Sequence, residues 1–243
     1  MTQTYLYPQK PIQTDLDPPT PGLFDVILAD PAWTFEVWDA ETTGKRWPGH
    51  KYSLMTLDDI CSLPVSQISA PNCALFLWAT WPNIQDAFKV ITAWGFTYRT
   101  LAFDWLKLTK NGRMWHIGTG YYTRANPEPC LLAVRGNMTV SNKDVLNVIA
   151  EPELASDTII DVVREHSRKP ELAYQKLDRL YPLGKYPRRA ELFASQHSAP
   201  LAYKYHFTHA LGYDVDGRDL RDSLSDLARS VENGKETEPS GNI

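Results

Sequence analysis

The ten residues FDVILADPAW, at positions 24–33, decide the fold of this chain. The first six are almost all apolar, which is typical of a strand buried on both faces, and Asp30-Pro31 ends the run with a turn. Similar apolar runs follow at residues 74–79, 100–106, 131–134 and 190–194. Because helical segments alternate with several of these runs, we predict an α/β fold with a mostly parallel central sheet and helices on both faces.

Three helices carry clear boundary signals. Thr56 is suited to cap a helix over residues 57–63. Pro82 and Gly95 frame a second helix, with proline at its start and glycine at its end. Pro170 opens a third, whose apolar face continues to Pro182. Residues 195–211 show no clear period, so no element is predicted there.

The composition is that of an ordinary globular chain. Its 243 residues are 43% hydrophobic and 22% charged, which excludes disorder over most of the length. No apolar run reaches the roughly 18 residues of a membrane span. Since the polar N-terminus also lacks a signal peptide's pattern, we predict no membrane partner and a cytoplasmic location.

The metal-ligating residue types give no metal signal. The three cysteines are widely spaced and form no Cys-x-x-Cys pair, which argues against both a disulfide framework and a structural zinc. His206 and His209 stand at helical spacing, but a third ligand is not evident. We therefore predict no metal.

Charge is distributed unevenly along the chain. The net charge of −4 comes from residues 214–238, which hold eight acidic and four basic residues, while residues 1–213 hold 21 of each. Residues 99–124 carry five basic residues, one acidic residue and several aromatic rings. Such a stretch can face phosphates and bases. On charge alone, a solvated loop with a few core aromatics is the simpler interpretation.

The chain divides into four parts. We predict a proline-rich N-terminal arm over residues 1–22, one α/β domain over 23–219, an amphipathic helix over 220–232 and a disordered tail over 233–243. The helix carries a narrow apolar stripe made of Leu220, Leu224, Leu227 and Val231. This stripe either folds back onto its own domain or pairs with a second copy to form a homodimer.

The chemistry is expected at Asp30-Pro31-Ala32-Trp33, because ligands of open parallel sheets bind beyond the carboxyl ends of strands. The Asp30 carboxylate and the Pro31 carbonyl are hydrogen-bond acceptors, and Trp33 offers a flat ring. Together they suit a flat substrate that carries an amino group. The structural alternative is an ordinary Asp-Pro turn with Trp33 in the core.

Nine short motifs extend this pattern in order along the chain. They are ADPAW (29–33), Tyr52-x-x-Met55, LFLWAT (75–80), WGF (94–96), Trp105-x-Lys107, the turn at 118–122, NPEPCLLAVRG (126–136), HSRKP (166–170) and ELFA (191–194). In these motifs, over roughly residues 23–219, the chain resembles the MT-A70 family of S-adenosylmethionine-dependent adenine N6-methyltransferases.

The resemblance implies a Rossmann-like methyltransferase fold in which the catalytic strand precedes the donor-binding strand. The residues it makes catalytic, by holding the target adenine, are Asp30, Pro31, Ala32 and Trp33. The residues it assigns to substrate binding are Tyr52, Trp105, Lys107 and Glu128. The residues it assigns to S-adenosylmethionine are Asp30, Lys169, Glu191, Phe193 and His197.

Some positions depart from the family pattern or have a structural alternative. Ala32 replaces a second proline, Ser195 stands where an arginine is common, and residues 198–209 resemble an insertion. A carboxylate at Glu191 suits the two hydroxyls of a ribose, or it caps a strand end. The cations at 166–169 precede a helix N-terminus, whose dipole favours anions. They therefore indicate a carboxylate or phosphate partner, with a solvated surface about equally compatible.

The predicted reaction follows from the electronic structure of adenine, whose N6 lone pair is delocalised into the ring. If Asp30 and the Pro31 carbonyl each accept one N6 hydrogen, the lone pair turns toward the sulfonium methyl group, and Asp30 is the first proton acceptor. We predict an enzyme that methylates adenine in nucleic acid, with DNA favoured over RNA and base flipping required for a duplex. The alternative is a non-catalytic, nucleic-acid-binding partner subunit of the same fold.

Overall fold

A computed structural model describes residues 23–33, 55–109, 113–118, 122–152, 169–194, 199–207, 209–211 and 220–232. The strands are β1 (Phe24–Ala29), β2 (Ser69–Trp78), β3 (Thr97–Leu108), β4 (Glu128–Arg135), β5 (Val148–Pro152), β6 (Arg189–Leu192) and β7 (His209–Leu211). The helices are α1 (Leu57–Ser62), α2 (Val65–Ile68), α3 (Ile84–Ala93), α4 (Glu171–Leu180), α5 (Ala199–Lys204) and α6 (Leu220–Glu232).

In the described part of the chain, seven strands form one sheet in the order β5-β3-β4-β2-β1-β6-β7. Strand β1 lies at the centre of its parallel portion and pairs in parallel with both β2 and β6. The pairs β6–β7 and β3–β5 are also parallel. Only β4 among these strands runs against its neighbours, β2 and β3. The predicted mostly parallel sheet is confirmed.

The two faces of the sheet bury separate hydrophobic clusters. Side chains of β1 alternate between them, with Ile27 and Ala29 in one cluster and Val26 and Leu28 in the other. Helices α1, α2, α3 and α6 cover the first face, and α4 and α5 cover the second. This arrangement confirms helices on both faces, and it explains why β1 is apolar at nearly every position.

The residues predicted to begin and end helices lie at or near the observed helix ends. Thr56 Oγ1 accepts from the Asp59 N–H at 3.1 Å, and Asp59 Oδ2 accepts from the Thr56 N–H at 3.3 Å, which is a capping box at the start of α1. Gly95 follows α3 with φ of +79°, a conformation that glycine adopts without strain. Pro82 lies in a 3₁₀ turn over Trp81–Asn83, so α3 begins two residues later than predicted.

Helix α6 folds back onto its own domain. Leu220 and Leu224 are fully buried in the first cluster, and Leu227 packs against it. Because the apolar stripe is already covered by the same chain, the predicted homodimer through this helix is not supported. The residues that had no predicted element, 195–211, include α5 and β7.

Several predictions concern residues outside the described ranges. The N-terminal arm (1–22) and the tail (233–243) are among them. Among the described residues, no helix has the length and apolar character needed to cross a bilayer. The cytoplasmic location stays a prediction.

Candidate active site

The order of the strands creates a switch point beside β1. From β1 the chain builds β2, β3, β4 and β5 on one side, and it then returns to place β6 on the other side. Ligands of α/β sheets bind in the crevice beyond the carboxyl ends of the strands at such a point. Asp30 follows β1 there, and its N–H donates to the Leu192 carbonyl at the end of β6 at 3.4 Å.

The antiparallel strand β4 brings its first residue to the same edge. Glu128 begins β4 and is paired in register with Trp105, near the carboxyl end of β3. Since β4 starts where its neighbours end, Glu128 and Lys107 reach the edge at which Asp30 lies. Asp30 and Glu128, about 100 positions apart in sequence, therefore lie at the same edge because of the order and direction of the strands.

Four charged side chains form a connected group, which we call the Lys169 cluster: Asp30, Lys107, Glu128 and Lys169. Lys169 Nζ lies 2.9 Å from Asp30 Oδ2 and 2.5 Å from Glu128 Oε1. Lys107 Nζ lies 3.0 Å from the other Glu128 oxygen, Oε2. Two cations thus balance two carboxylates. Asp30 is the most exposed member, with 24% of its side chain accessible against 11% for Lys169.

The pKa values of the two carboxyl groups move in opposite directions. Burial raises the pKa of Asp30, the negative charge of Glu128 adds to that effect, and Lys169 opposes both. Burial acts on Glu128 in the same sense, but Lys169 and Lys107 together lower its pKa below the ordinary value. For Lys169, burial favours the neutral amine, yet the two carboxylates raise its pKa and keep it charged. Asp30 is therefore the carboxyl group of this cluster that is easier to protonate.

Two buried tryptophan rings support the cluster. Lys169 Nζ lies 5.4 Å from the centre of the Trp78 ring, and Lys107 Nζ lies 4.8 Å from that of Trp105. The two rings meet edge to face at 6.4 Å. Cations at these distances are attracted to aromatic faces, so the rings hold both ammonium groups in place.

The Asp-Pro-Ala-Trp segment forms a tight turn whose tryptophan is directed inward. The Trp33 N–H donates to the Pro31 carbonyl at 2.8 Å, which closes a three-residue turn. The Trp33 indole N–H donates to the Trp78 carbonyl at 3.1 Å, and the side chain is 6% exposed. The structure thus favours the core interpretation of Trp33 over the predicted stacking surface. The Pro31 carbonyl keeps a second lone pair, because an oxygen of this kind accepts two hydrogen bonds.

The residues expected to bind the methyl donor lie on and after β6. Glu191 is paired in register with Leu28 of β1, is buried, and accepts from the hydroxyl of Tyr174 on α4. Phe193, directly after the strand, has φ of +65°. A left-handed backbone at a residue with a bulky side chain is strained and is often found at functional sites.

The predicted site is thus partly assembled. The four members of the Lys169 cluster touch one another, with Trp105 beside them, whereas Tyr52 and His197 lie outside the described residues. Lys169, the described member of the cations before α4, has two carboxylates of the protein itself as partners, and a carboxylate or phosphate of a ligand stays a prediction. Trp78 and Tyr174 were not singled out from sequence. Trp78 lay within a quoted motif, and Tyr174 lay within a predicted helix, but neither carried a signal of its own.

Together, the sheet order and the charged edge at its switch point define a Rossmann-like α/β domain of the methyltransferase class. The chain belongs to the MT-A70 family, whose family model matches residues 24–203.

Relatives of known name are similar along most of this chain. It is 29% identical to the N(6)-adenosine-methyltransferase MT-A70-like protein of Arabidopsis thaliana, over 73% of this chain and 22% of that protein. It is 29% identical to the N(6)-adenosine-methyltransferase catalytic subunit METTL3 of Homo sapiens, over 83% of this chain and 30% of that protein. It is 27% identical to the type II methyltransferase M.MunI of a Mycoplasma species, over 65% of this chain and 68% of that protein. The chain therefore spans only a fraction of the plant and human relatives.

Proposed function

We propose that this protein transfers a methyl group from S-adenosylmethionine to the exocyclic N6 of adenine in nucleic acid. The observation that carries the proposal is the partly exposed carboxylate of Asp30 at the switch point, held by Lys169 at 2.9 Å. Family membership and the names of the relatives support the same reaction.

On the acceptor side, Asp30 and Pro31 hold the amine. Lys169 contacts Oδ2 of Asp30, so we assign Oδ1 to one N6 hydrogen and the Pro31 carbonyl to the other. The turn closed by the Trp33 N–H fixes the direction of that carbonyl. Two acceptors in fixed positions draw the nitrogen toward tetrahedral geometry before reaction, which places charge for the transition state.

Lys169 positions the proton acceptor and tunes its acidity. Because burial raises the pKa of Asp30 and Lys169 opposes that rise, Lys169 favours the ionised form that can accept hydrogen bonds. The proton released from N6 passes first to Asp30, whose raised pKa makes it a better base than an exposed aspartate. Glu128 and Lys107 fix Lys169 from the other side.

On the donor side, the residues fit S-adenosylmethionine. Its ribose carries two hydroxyl groups that need acceptors, and the Glu191 carboxylate is buried on β6 beside β1. When bound, the donor would supply a methyl group on a positively charged sulfur, and the amine would form a bond to the methyl carbon as the carbon–sulfur bond breaks and the neutral thioether leaves. Glu191 on β6, Phe193 directly after it and Asp30 directly after the neighbouring β1 would hold the two reactants near each other. Such positioning can lower a barrier by roughly 7 to 11 kcal/mol.

The nucleic acid has a candidate docking surface next to the cluster. We call residues 113–118 and 122–126, the described parts of the segment before β4, the aromatic excursion, and their large exposed apolar side chains are Met114, Trp115, Ile117 and Tyr122. Exposed Arg113 and Arg124 add positive charge. The excursion is tied to β3, since the His116 N–H donates to the Lys107 carbonyl at 2.9 Å. Aromatic rings and cations suit bases and phosphates.

We place DNA before RNA as the substrate. The similarity to the type II methyltransferase M.MunI supports this order, and the similarity to the N6-adenosine relatives makes RNA the alternative. For a duplex substrate, the target base must leave the stack, at a free-energy cost of a few kcal/mol.

The test is methyl transfer from labelled S-adenosylmethionine to matched single- and double-stranded DNA and RNA, read by nucleoside mass spectrometry. We expect N6-methyl-2′-deoxyadenosine as the main product, and a much lower rate of its formation with Asp30→Asn. Labelled RNA alone would overturn the preference for DNA. Tight nucleic-acid binding without donor binding or transfer would support the non-catalytic alternative.

A further inference from the structure

A buried hydroxyl faces the carboxylate that we assign to the ribose of the donor. Tyr174 Oη lies 3.0 Å from Glu191 Oε1 and 2.9 Å from Glu191 Oε2. Tyr174 is completely buried, and Glu191 is nearly so. Because the hydroxyl has one proton, it can satisfy only a small part of the hydrogen-bonding capacity of a carboxylate, which has about four lone-pair sites.

The Tyr174 ring is fixed from several sides. It stacks on Tyr205 with ring centres 5.7 Å apart, and it meets Phe207 edge to face at 5.7 Å. These aromatic contacts restrict the position of the hydroxyl. A hydroxyl that cannot move fixes the carboxylate it contacts.

We propose that Tyr174 is a positioning residue for the methyl donor, which acts by orienting the Glu191 carboxylate toward the ribose hydroxyls. This inference rests on the proposed function and adds a residue to its donor side. Tyr174 does not contact the donor in this proposal. Its hydroxyl stabilises the orientation of Glu191 in which the carboxylate accepts from the ribose hydroxyls.

The position of Tyr174 also connects the two halves of the site. Helix α4 begins at Glu171, two residues after Lys169, and Tyr174 lies in its first turn. Lys169 contacts Asp30 on the acceptor side, while Tyr174 contacts Glu191 on the donor side. One short segment of chain therefore contacts both the Asp30 carboxylate, on the acceptor side, and the Glu191 carboxylate, on the donor side.

The test is the Tyr174→Phe variant, which removes the hydroxyl and keeps the ring. We expect the donor dissociation constant, measured by calorimetry, to rise about tenfold, because the hydrogen bond that orients the charged carboxylate is lost. The donor KM should rise with it, while the nucleic-acid KM and kcat change little. Tyr181→Phe is the matched control, since Tyr181 is also buried and directly follows α4. It should bind the donor like the wild type.

Two further measurements separate positioning from general destabilisation. On a Glu191→Gln background, Tyr174→Phe should cause less than a twofold additional loss of affinity, because the oriented carboxylate is already gone. A donor analogue without the ribose hydroxyls should bind wild type and Tyr174→Phe equally well. Equal affinity of both proteins for the natural donor would overturn the role of Tyr174. Absence of donor binding by the wild type would instead overturn the proposed function.

Discussion

Arg189 and Lys169 are both buried cations, yet their partners differ in kind. Arg189 is completely buried and donates to the backbone carbonyls of Tyr186, Tyr205 and Tyr181 at 3.1, 3.2 and 2.5 Å. Its carboxylate partner Asp178, at 2.8 Å, is 46% exposed. These partners belong to the ends of α4 and α5 and to the segment before β6, so Arg189 joins elements of one face of the sheet.

Lys169, in contrast, has two carboxylates as partners. Asp30 and Glu128 lie on different strands, and their pKa values move in opposite directions. Carbonyl oxygens cannot titrate, so three of the Arg189 contacts have an acceptor whose charge does not depend on pH. The comparison separates a buried cation whose partners are mainly backbone groups from one whose partners are titratable, and titratable groups with shifted pKa values in a crevice are candidates for function.

The largest loss of turnover is expected for Asp30→Asn, which changes a carboxylate partner of Lys169. The amide would present either a donor or a misaligned carbonyl to N6, so turnover should fall by about 10² to 10⁴. Methyl transfer and thermal unfolding of the same preparation would check this prediction. Turnover within a few-fold of the wild type in a folded variant would refute the role of Asp30.

Arg189→Met tests how much the buried guanidinium of Arg189 contributes to the free energy of unfolding. Removing the guanidinium leaves three carbonyls without their donor, so the free energy of unfolding should fall by about 3 kcal/mol. Arg179→Met is the control, because 34% of the Arg179 side chain and 73% of the Asp144 side chain are exposed in its ion pair. Exposed ion pairs contribute under about 1 kcal/mol. Denaturant titration would compare the two. Similar losses of unfolding free energy in both variants would show that the buried Arg189 contacts stabilise the fold no more than the exposed pair does.

Lys169→Met should change the pH dependence of the reaction. Asp30 acts in its ionised form, so activity is lost as the pH falls through its pKa. Because burial raises that pKa and Lys169 opposes the rise, the variant should lose activity at a higher pH than the wild type. Turnover at neutral pH should also fall about tenfold. An unchanged acid limb of the kcat profile in a folded variant would contradict this assignment.

The fold could be predicted from sequence because its signals are local. An apolar run without alternation at 24–29 marks a central strand, and Thr56 or Gly95 mark helix ends through hydrogen bonding and backbone freedom. The segment after β6 could not be predicted, since α5 and β7 are short and their stability comes from contacts with the rest of the domain. The direction of β4 is likewise a property of the whole sheet.

The site was predictable as a set of residues but not as a set of contacts. The motifs named Lys107 and Glu128 as substrate-binding residues, whereas the structure pairs them with each other at 3.0 Å. Trp33 was expected to stack on a base, but its side chain is buried and its indole N–H donates to the Trp78 carbonyl. Sequence patterns identify which side chains reach an edge, while register decides which of them meet.

The smallest predicted effect concerns the aromatic excursion. It distinguishes two parts of the basic stretch at 99–124 by their position in the fold. Exposed Arg113 and Arg124 lie next to the cluster edge, whereas Arg99 is exposed near the start of β3, at the opposite edge of the sheet. Charge reversal of Arg113 and Arg124 together should weaken nucleic-acid binding several-fold at all sequences and reduce the salt slope by about 1.4 to 1.8, the contribution of two phosphate contacts. Arg99→Glu should leave both quantities near the wild-type values, and none of these variants should alter donor affinity. Equal salt slopes in all the variants and the wild type would make the excursion a solvated loop, and the nucleic acid would then have to reach Asp30 across another surface.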